Sequence, residues 1–473
     1  MRTPLSNVDA SWLRMDAPNN LMVVNGVLVL DRPVSTEQVR DLLKDHLGRF
    51  DRFRSRVVPA PAGIGTPSWE VDPEFSIDRH LVEARLPEPG DEAALQAFVG
   101  GLLSQPLAPD RPLWRFHHIP EYQGGSALVT RIHHCIGDGL ALVHVLLSMA
   151  DGSPPMAAPP APNGEEEHGG VWDAVGAALS RTRDAALTVS GRVLREAREI
   201  LANPERLARS GRDVAAHLGS LARLLALPPD PRSAFKGALG VQKRVAWSRA
   251  YDLAEMKDLA RSTGSTVNDI LMAALAGGLR RYLSAGVEVA RDLDVRGVVP
   301  VNLRPASEAH LLGNRFGLVF LELPLGMEDP LDRLFEIRRR MRAIKDSPEA
   351  AAIFEVLWAV GVAPKPVFDL VLDIFASKAT AVVTNVVGPR QPISIAGAPL
   401  RQAMFWVPSA GHLGLGVSLL SYAGQVWLGV QGDAGLVPDP DRILDGFAAE
   451  VEALRSIRRE ATGEGPPSPP GAC

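Results

Sequence analysis

"SALVTRIHHCIGDGLALVHVLLSMA" (126–150) joins two patterns in one stretch. Ser126 to His134 is a short apolar run entered through the turn residues "QGG", which predicts a strand. From Leu140 a longer apolar run without Gly or Pro predicts a helix. Strand alternation sends His133 to the side of Arg131, and His134 to the opposite side with Thr130 and Ile132. The two imidazoles therefore cannot both serve one reacting atom. One is a base candidate and the other packs or hydrogen-bonds within the domain. Asp138, in the turn, is placed to order the loop through backbone amides or an arginine. Gly139 is expected to free that turn from the steric limits of a Cβ.

Outward from this stretch, strands and helices alternate. "LMVVNGVLVL" (21–30) reads as a buried strand, followed by a helix from Thr36 to about Arg49 with Ser35 as its cap. "ALQAFVGGLLSQ" (94–105) is helical, and "PLWRFHHI" (112–119) is a strand. A second region of the same kind runs from Lys243 to Arg459. It has helices at 252–262 and 265–284, and strands at "LDVRGVVPVNL" and "GLVFLELPL". Helices then run to about Phe375, followed by strands "TAVVTNVVG", "HLGLGVSLLSY" and "QVWLGVQGD" and a last helix from Pro440. The predicted class is α/β in two layered halves, 1–150 and 231–460. Residues 151–230 join them through a Pro-rich loop and a basic amphipathic helical linker, with Leu187, Leu194 and Leu201 on one stripe. The tail 461–473 is disordered by composition.

At 473 residues the chain exceeds what one core supports, in keeping with two halves. A net charge of −5 gives no basis for nucleic-acid binding. Cys135 and Cys473, the two cysteines, cannot build a disulfide framework or a cysteine-rich metal site. The N-terminus lacks the apolar core of a signal peptide, which points to the cytoplasm. No window reaches 18 uninterrupted apolar residues. The nearest candidate, 353–376, is broken by charges and two prolines, and reads either as core helices or as a patch lying on a lipid surface.

A neutral imidazole suits removal of a proton from a hydroxyl near pH 7, and a positioned base contributes typically about 10²–10⁴-fold. There is no G-x-S-x-G elbow, H-E-x-x-H, C-x-x-C, P-loop or complete G-x-G-x-x-G. Cys135 adjoins His134, but neighbours on a strand face opposite sides. His117 and His118 form another pair with no Asp-Gly after it, and read as strand packing.

H-H-x-x-x-D-G resembles the signature of the acyltransferase superfamily that includes chloramphenicol acetyltransferase, plant acyl-CoA transferases and the condensation domains of nonribosomal peptide synthetases. The wider chain resembles one branch, the bacterial bifunctional wax ester synthase/acyl-CoA:diacylglycerol acyltransferases. The resemblance runs nearly end to end through "PLSNVDASWL", "RLPEPG", "SQPLAPDRPLW", "HHCIGDG", "TVNDILMAALAGGLRRYL", "VPVNLRP", "GNRFG", "TNVVGPRQPISIAGAPL", "LSYAGQVWLGVQGD" and "LVPDPDRIL". Val387 stands where that family usually has proline.

The resemblance implies two chloramphenicol-acetyltransferase-like domains joined by a helical linker, with the active site between them. It implies a fatty acyl-CoA donor, a diacylglycerol or long-chain alcohol acceptor, and no cofactor or metal. His134 matches the general base, with His133 as its supporting motif neighbour. Asn268 matches an asparagine near the reacting centre and is a candidate oxyanion donor or a capping residue. Asp138 matches an aspartate that pairs with an arginine, Arg304 by position, instead of doing chemistry. Trp114 and Thr266 are candidates for the substrate path; their alternatives are a buried structural tryptophan and a helix cap. A membrane or lipid-droplet surface is an expected peripheral partner. Two other readings share the motif: a condensation-type enzyme taking its acyl group from a carrier protein, and a lipid-binding protein without activity.

Overall fold

The computed structural model describes residues 2–60, 65–152, 227–286, 288–303, 312–345, 350, 353, 354, 356, 365–409 and 411–462. The linker helix expected over 171–227, Arg304 and the tail thus lie wholly or almost wholly outside the described residues. The chain opens with β1 (Arg2–Pro4), α1 (Asn7–Met15), β2 (Val23–Leu30), α2 (Thr36–His46), the short α3 (Asp51–Arg54), β3 (Ser55–Val58), β4 (Ser68–Val71) and β5 (Leu81–Glu83). Then come α4 (Glu92–Leu103), β6 (Trp114–Tyr122), β7 (Gly125–His133) and α5 (Gly139–Ser148). The second half begins with β8 (Lys243–Trp247), β9 (Tyr251–Asp252), α6 (Leu253–Ser262), α7 (Val267–Ser284), β10 (Asp294–Asn302) and β11 (Phe316–Pro324). It continues with α8 (Pro330–Lys345), α9 (Lys365–Ser377), β12 (Ala381–Val387), β13 (Ser394–Ile395), β14 (Ala398–Trp406), β15 (Leu415–Tyr422), β16 (Gln425–Asp433) and α10 (Asp441–Thr462).

Local chemistry accounts for the boundaries. Ser35 accepts a hydrogen bond from the Gln38 amide while the Gln38 side chain accepts from the Ser35 amide, a capping box that starts α2. Gln123 and Gly124 both take positive φ, 49° and 79°, which is what a tight hairpin between two right-twisted strands requires. Ala423 and Gly424 repeat that turn between β15 and β16.

The strands form a six-stranded sheet, β13-β14-β2-β7-β6-β5, and a second sheet of order β11-β10-β12-β15-β16-β8 with β9 also on β16. A small sheet, β1-β4-β3, sits apart. The first sheet corrects the expected division of the chain. Its β13 and β14 come from residues 394–406, inside the stretch assigned to the C-terminal half, and β14 pairs antiparallel with β2 from Leu400↔Leu30 to Trp406↔Asn25. The sequence hid this strand because a bulge between Leu400 and Gln402 breaks its alternation.

Each large sheet has its own buried core, one around Val129, Phe116 and Leu43, the other around Leu275, Leu419 and Phe447. In the second, α7 is buried on most of its surface, and its Gly278 lies against α10: a Cβ there would come within 2.9 Å of the Ile443 carbonyl. Two smaller apolar clusters lie apart from these cores, the first of them bridging the halves. One joins Val8, Trp12, Met15 and Met22 to Phe316 and Phe368; the other joins Val298, Phe320 and Val382 to Val407 and Leu413.

Candidate active site

The two small clusters wall a cavity of about 240 Å³. Strand alternation builds three of its walls: Val298, Pro300 and Asn302 on β10, Phe316, Leu318 and Phe320 on β11, and Val382, Thr384 and Val386 on β12. Asn302 lies opposite Phe316 and Val298 opposite Phe320, so the β10–β11 wall runs roughly 13 Å along the strands. His134, Asp138 and Gly139 from the motif loop and Trp12 and Met15 from α1 also line it. Apart from Asn302, Thr384, Asn385 and the loop residues, the lining is apolar. The polar side chains of β10 and β12 sit toward the C-terminal ends of those strands.

His134 is 5% exposed. Its backbone amide donates to the Met22 carbonyl at 2.8 Å, and its own carbonyl accepts from Asn314 Nδ2 at 2.8 Å. Its ring stacks on Trp12, with centroids 4.2 Å apart and planes 19° from parallel. Burial pushes the imidazole below its ordinary value, against an opposing pull from the Asp138 carboxylate, so the neutral form is favoured near pH 7.

His133 faces elsewhere. Its Nδ1 accepts from the Cys135 amide at 3.1 Å, and burial first, then His134, takes its pKa down to about 3. Cys135 is fully buried and its thiol is pushed up by that burial, the opposite of what a thiolate nucleophile needs.

Asp138 caps α5. Its Oδ1 accepts from the Ala141 amide at 2.9 Å and its Oδ2 from the Arg315 amide at 3.1 Å, while its own amide donates to the Gly313 carbonyl. The carboxylate thereby ties the motif loop to the segment leading into β11. Gly139 departs from expectation. It does not take a positive φ, and a Cβ there would meet nothing within 4 Å. It leaves open space in the cavity wall instead of relieving a tight turn.

Three further candidates are repositioned. Trp114 does not line the cavity; it is 1% exposed, its Nε1 donates to the Phe53 carbonyl at 2.8 Å, and its ring stacks on His80 inside the first core. Thr266 is an exposed cap: its hydroxyl accepts from the Asp269 amide while Asp269 accepts from the Thr266 amide. Asn268, in the first turn of α7, is not part of the lining either. Its Oδ1 accepts from Nδ2 of Asn385 at 2.8 Å, and Asn385 is the residue that reaches the cavity.

The side chains that hold the loop were not singled out in the sequence. Asp9, fully buried on α1, pairs with Arg52 at 3.0 Å and accepts from the Asn314 side chain at 2.7 Å. Arg52 donates to the carbonyls of Cys135 and Ile136, and Asn314 to that of His134. Three consecutive carbonyls of the motif are thus gripped by one buried network spanning both halves. Asp9 in "NVDASWL" and Asn314 in "GNRFG" lie within blocks quoted above, but 305 positions apart, with nothing in either block to pair them.

The profile of the wax ester synthase/diacylglycerol acyltransferase catalytic domain matches residues 5–271, and that of the family's C-terminal domain matches residues 312–455. A probable diacylglycerol O-acyltransferase of Mycobacterium tuberculosis strain H37Rv is 28% identical over 477 residues, covering 97% of each chain. A putative diacylglycerol O-acyltransferase of the same strain is 28% identical over 484 residues, 97% of this chain and 98% of that one. Among solved structures, the wax ester synthase/diacylglycerol acyltransferase from Marinobacter aquaeolei VT8 shares the fold, with a TM-score of 0.66 at 21% identity over 96% of this chain and all of that one. The first condensation domain of the calcium-dependent antibiotic synthetase is a more distant match in fold, with a TM-score of 0.59 at 17% identity over 97% of this chain and 96% of that one. Matched by the family's two domain profiles over most of its length, the chain belongs to the wax ester synthase/diacylglycerol acyltransferase family.

Proposed function

We propose that this acyltransferase moves a long-chain fatty acyl group from acyl-CoA to diacylglycerol or a fatty alcohol, forming triacylglycerol or wax ester, with His134 as general base. The observation that carries the assignment is the buried imidazole of His134 at the wall of a long apolar cavity, where burial favours its neutral form. In a ternary complex His134 accepts the proton of the acceptor hydroxyl as the oxygen attacks the thioester carbonyl. The C–S bond then breaks and the imidazole returns the proton to the departing thiolate. The apolar strand walls suit an aliphatic chain, and Asn302, Thr384 and Asn385 suit the polar groups near the reacting carbon.

Substrates of this kind reside in lipid, so the enzyme works at a lipid surface. Among the described residues no helix is long and apolar enough to cross a membrane. Two cavity-wall elements nevertheless present apolar side chains outward: Leu370 on α9 is 60% exposed and Val387 on β12 is 71% exposed. The test of the chemistry is thiol release from palmitoyl-CoA, with hexadecanol or diacylglycerol as acceptor. Acceptor-dependent release without any carrier protein is expected. Release that needs an acyl-carrier protein would instead favour a condensation-type donor.

A further inference from the structure

His134 has a face as well as an edge, and Trp12 covers that face. Trp12 lies on α1, which Ser6 caps by accepting from the Asp9 amide. Its indole is also 5.7 Å from the Phe316 ring, which is itself 5.7 Å from His134, so the three rings form one cluster at the cavity wall. The contrast with Trp114 is informative. Trp114 is anchored by its N–H, whereas the Nε1 of Trp12, itself 5% exposed, has no hydrogen-bond partner among the described residues. Leaving a buried donor unpaired is unfavourable, so satisfaction of its own polar atom does not explain why an indole stands there. Its contact with His134 does.

We propose that Trp12 is a positioning residue for acyl transfer, its π face holding the plane of the His134 imidazole and stabilising the imidazolium that exists while the acceptor's proton resides on it. The inference rests on His134 being the base. An indole is the best of the aromatic faces for a cation, and the contact is strongest where water is excluded. The proton arrives from the acceptor hydroxyl as the new C–O bond forms and leaves to the CoA sulfur as the C–S bond breaks, so the stack acts on a charge present only during the reaction. The other charged or titratable groups around this cluster are Asp9 and Arg14 on α1 and Asp16 just after it, Arg52 on α3, His133, Cys135 and Asp138 on the motif stretch, Arg315 before β11, Glu322 on β11, and Lys365, Asp369 and Asp373 on α9.

The test is the pH dependence of kcat and KM for wild type, Trp12→Phe and Trp12→Leu, with His134→Ala beside them. Trp12→Leu is expected to lower kcat about tenfold and to move the acid limb of kcat down by about 0.5–1 pH unit, with a smaller change in KM for acyl-CoA. Trp12→Phe, with a weaker but intact aromatic face, is expected to shift the limb in the same direction by less. If Trp12 only shielded the base, Trp12→Leu would hydrate His134 and move the limb upward. An upward shift, or an unmoved limb with only KM altered, would overturn the proposal. Should Trp12→Leu fail to fold, an unmoved limb in Trp12→Phe overturns it equally. A wild-type rate in His134→Ala would remove the base assignment itself, a result distinct from any of these.

Discussion

At the scale of single residues, the site depends on how few atoms hold the motif loop. Buried Asp9 pairs with the half-buried Arg52, and the carboxylate also carries Asn314, whose amide supports the carbonyl of His134. Removing the carboxylate leaves the buried Asn314 amide short of an acceptor and the guanidinium without its partner. Asp9→Ala is therefore expected to cost about 2 kcal/mol in stability, read from the urea midpoint; a change under about 0.5 kcal/mol, the level of an ordinary surface substitution, would contradict this network. His134 and Asp138 were legible in the sequence because both belong to one local motif on a strand-to-helix turn. Trp114 and Thr266 each carried two readings, because a tryptophan or threonine does not announce where its polar atom finds a partner, and each takes its structural alternative. Trp114 finds one in the Phe53 carbonyl and Thr266 in the Asp269 amide. Trp12 and Phe316 could not be read as partners of His134, since only the fold brings α1 and β11 together.

At the scale of elements, the β6–β7 hairpin buries an unusual load of imidazole. His117 and His133 are almost fully inaccessible, with pKa values lowered to about 4 and about 3, chiefly by burial, and His118 is lowered for the same reason. His80, stacked on the Trp114 of β6, is lowered to about 4 by burial as well. The folded values lie below the ordinary value near 6.5. As the pH falls through 6.5 the unfolded chain therefore binds protons that the native chain refuses, and stability drops until about pH 4 to 3. The urea midpoint is expected to decline from pH 7 to pH 5, and His117→Leu to flatten that decline. A decline of equal steepness in the variant would exclude His117 as a contributor. The hairpin itself was readable, its turn residues and apolar runs being local signals. β14 was not, because its bulge breaks the alternation and its pairing partner β2 is more than 360 residues away.

At the scale of the whole molecule, the passage of β14 into the first sheet means that the first half does not close its own structure. Without residues 394–406, the β2 edge of the first sheet is left open, a template for aggregation. A fragment ending at residue 152 is thus expected to be insoluble alone and recovered when co-expressed with 227–473; a soluble, cooperatively melting fragment 1–152 would contradict this role of β14. The outward apolar side chains carry a second expectation at this scale. Leu370→Glu with Val387→Glu should weaken flotation with lipid vesicles while leaving the melting temperature within a few degrees, and unchanged flotation would place the lipid-facing surface elsewhere. Two layered α/β halves were legible from alternation alone, whereas the cavity between them was not. Its walls are made by Val298, Phe320 and Val382, apolar strand residues whose pattern is the same whether they face a core or a substrate.

The central claim is that His134 takes the proton from the acceptor hydroxyl in an acyl transfer from CoA. The most direct measurement is acceptor-dependent thiol release from palmitoyl-CoA by wild type and His134→Ala, each first confirmed folded by its melting curve. A fall of at least about 10²-fold in the folded variant, with either hexadecanol or diacylglycerol as acceptor, is the predicted result. Release at a wild-type rate in that variant would contradict it.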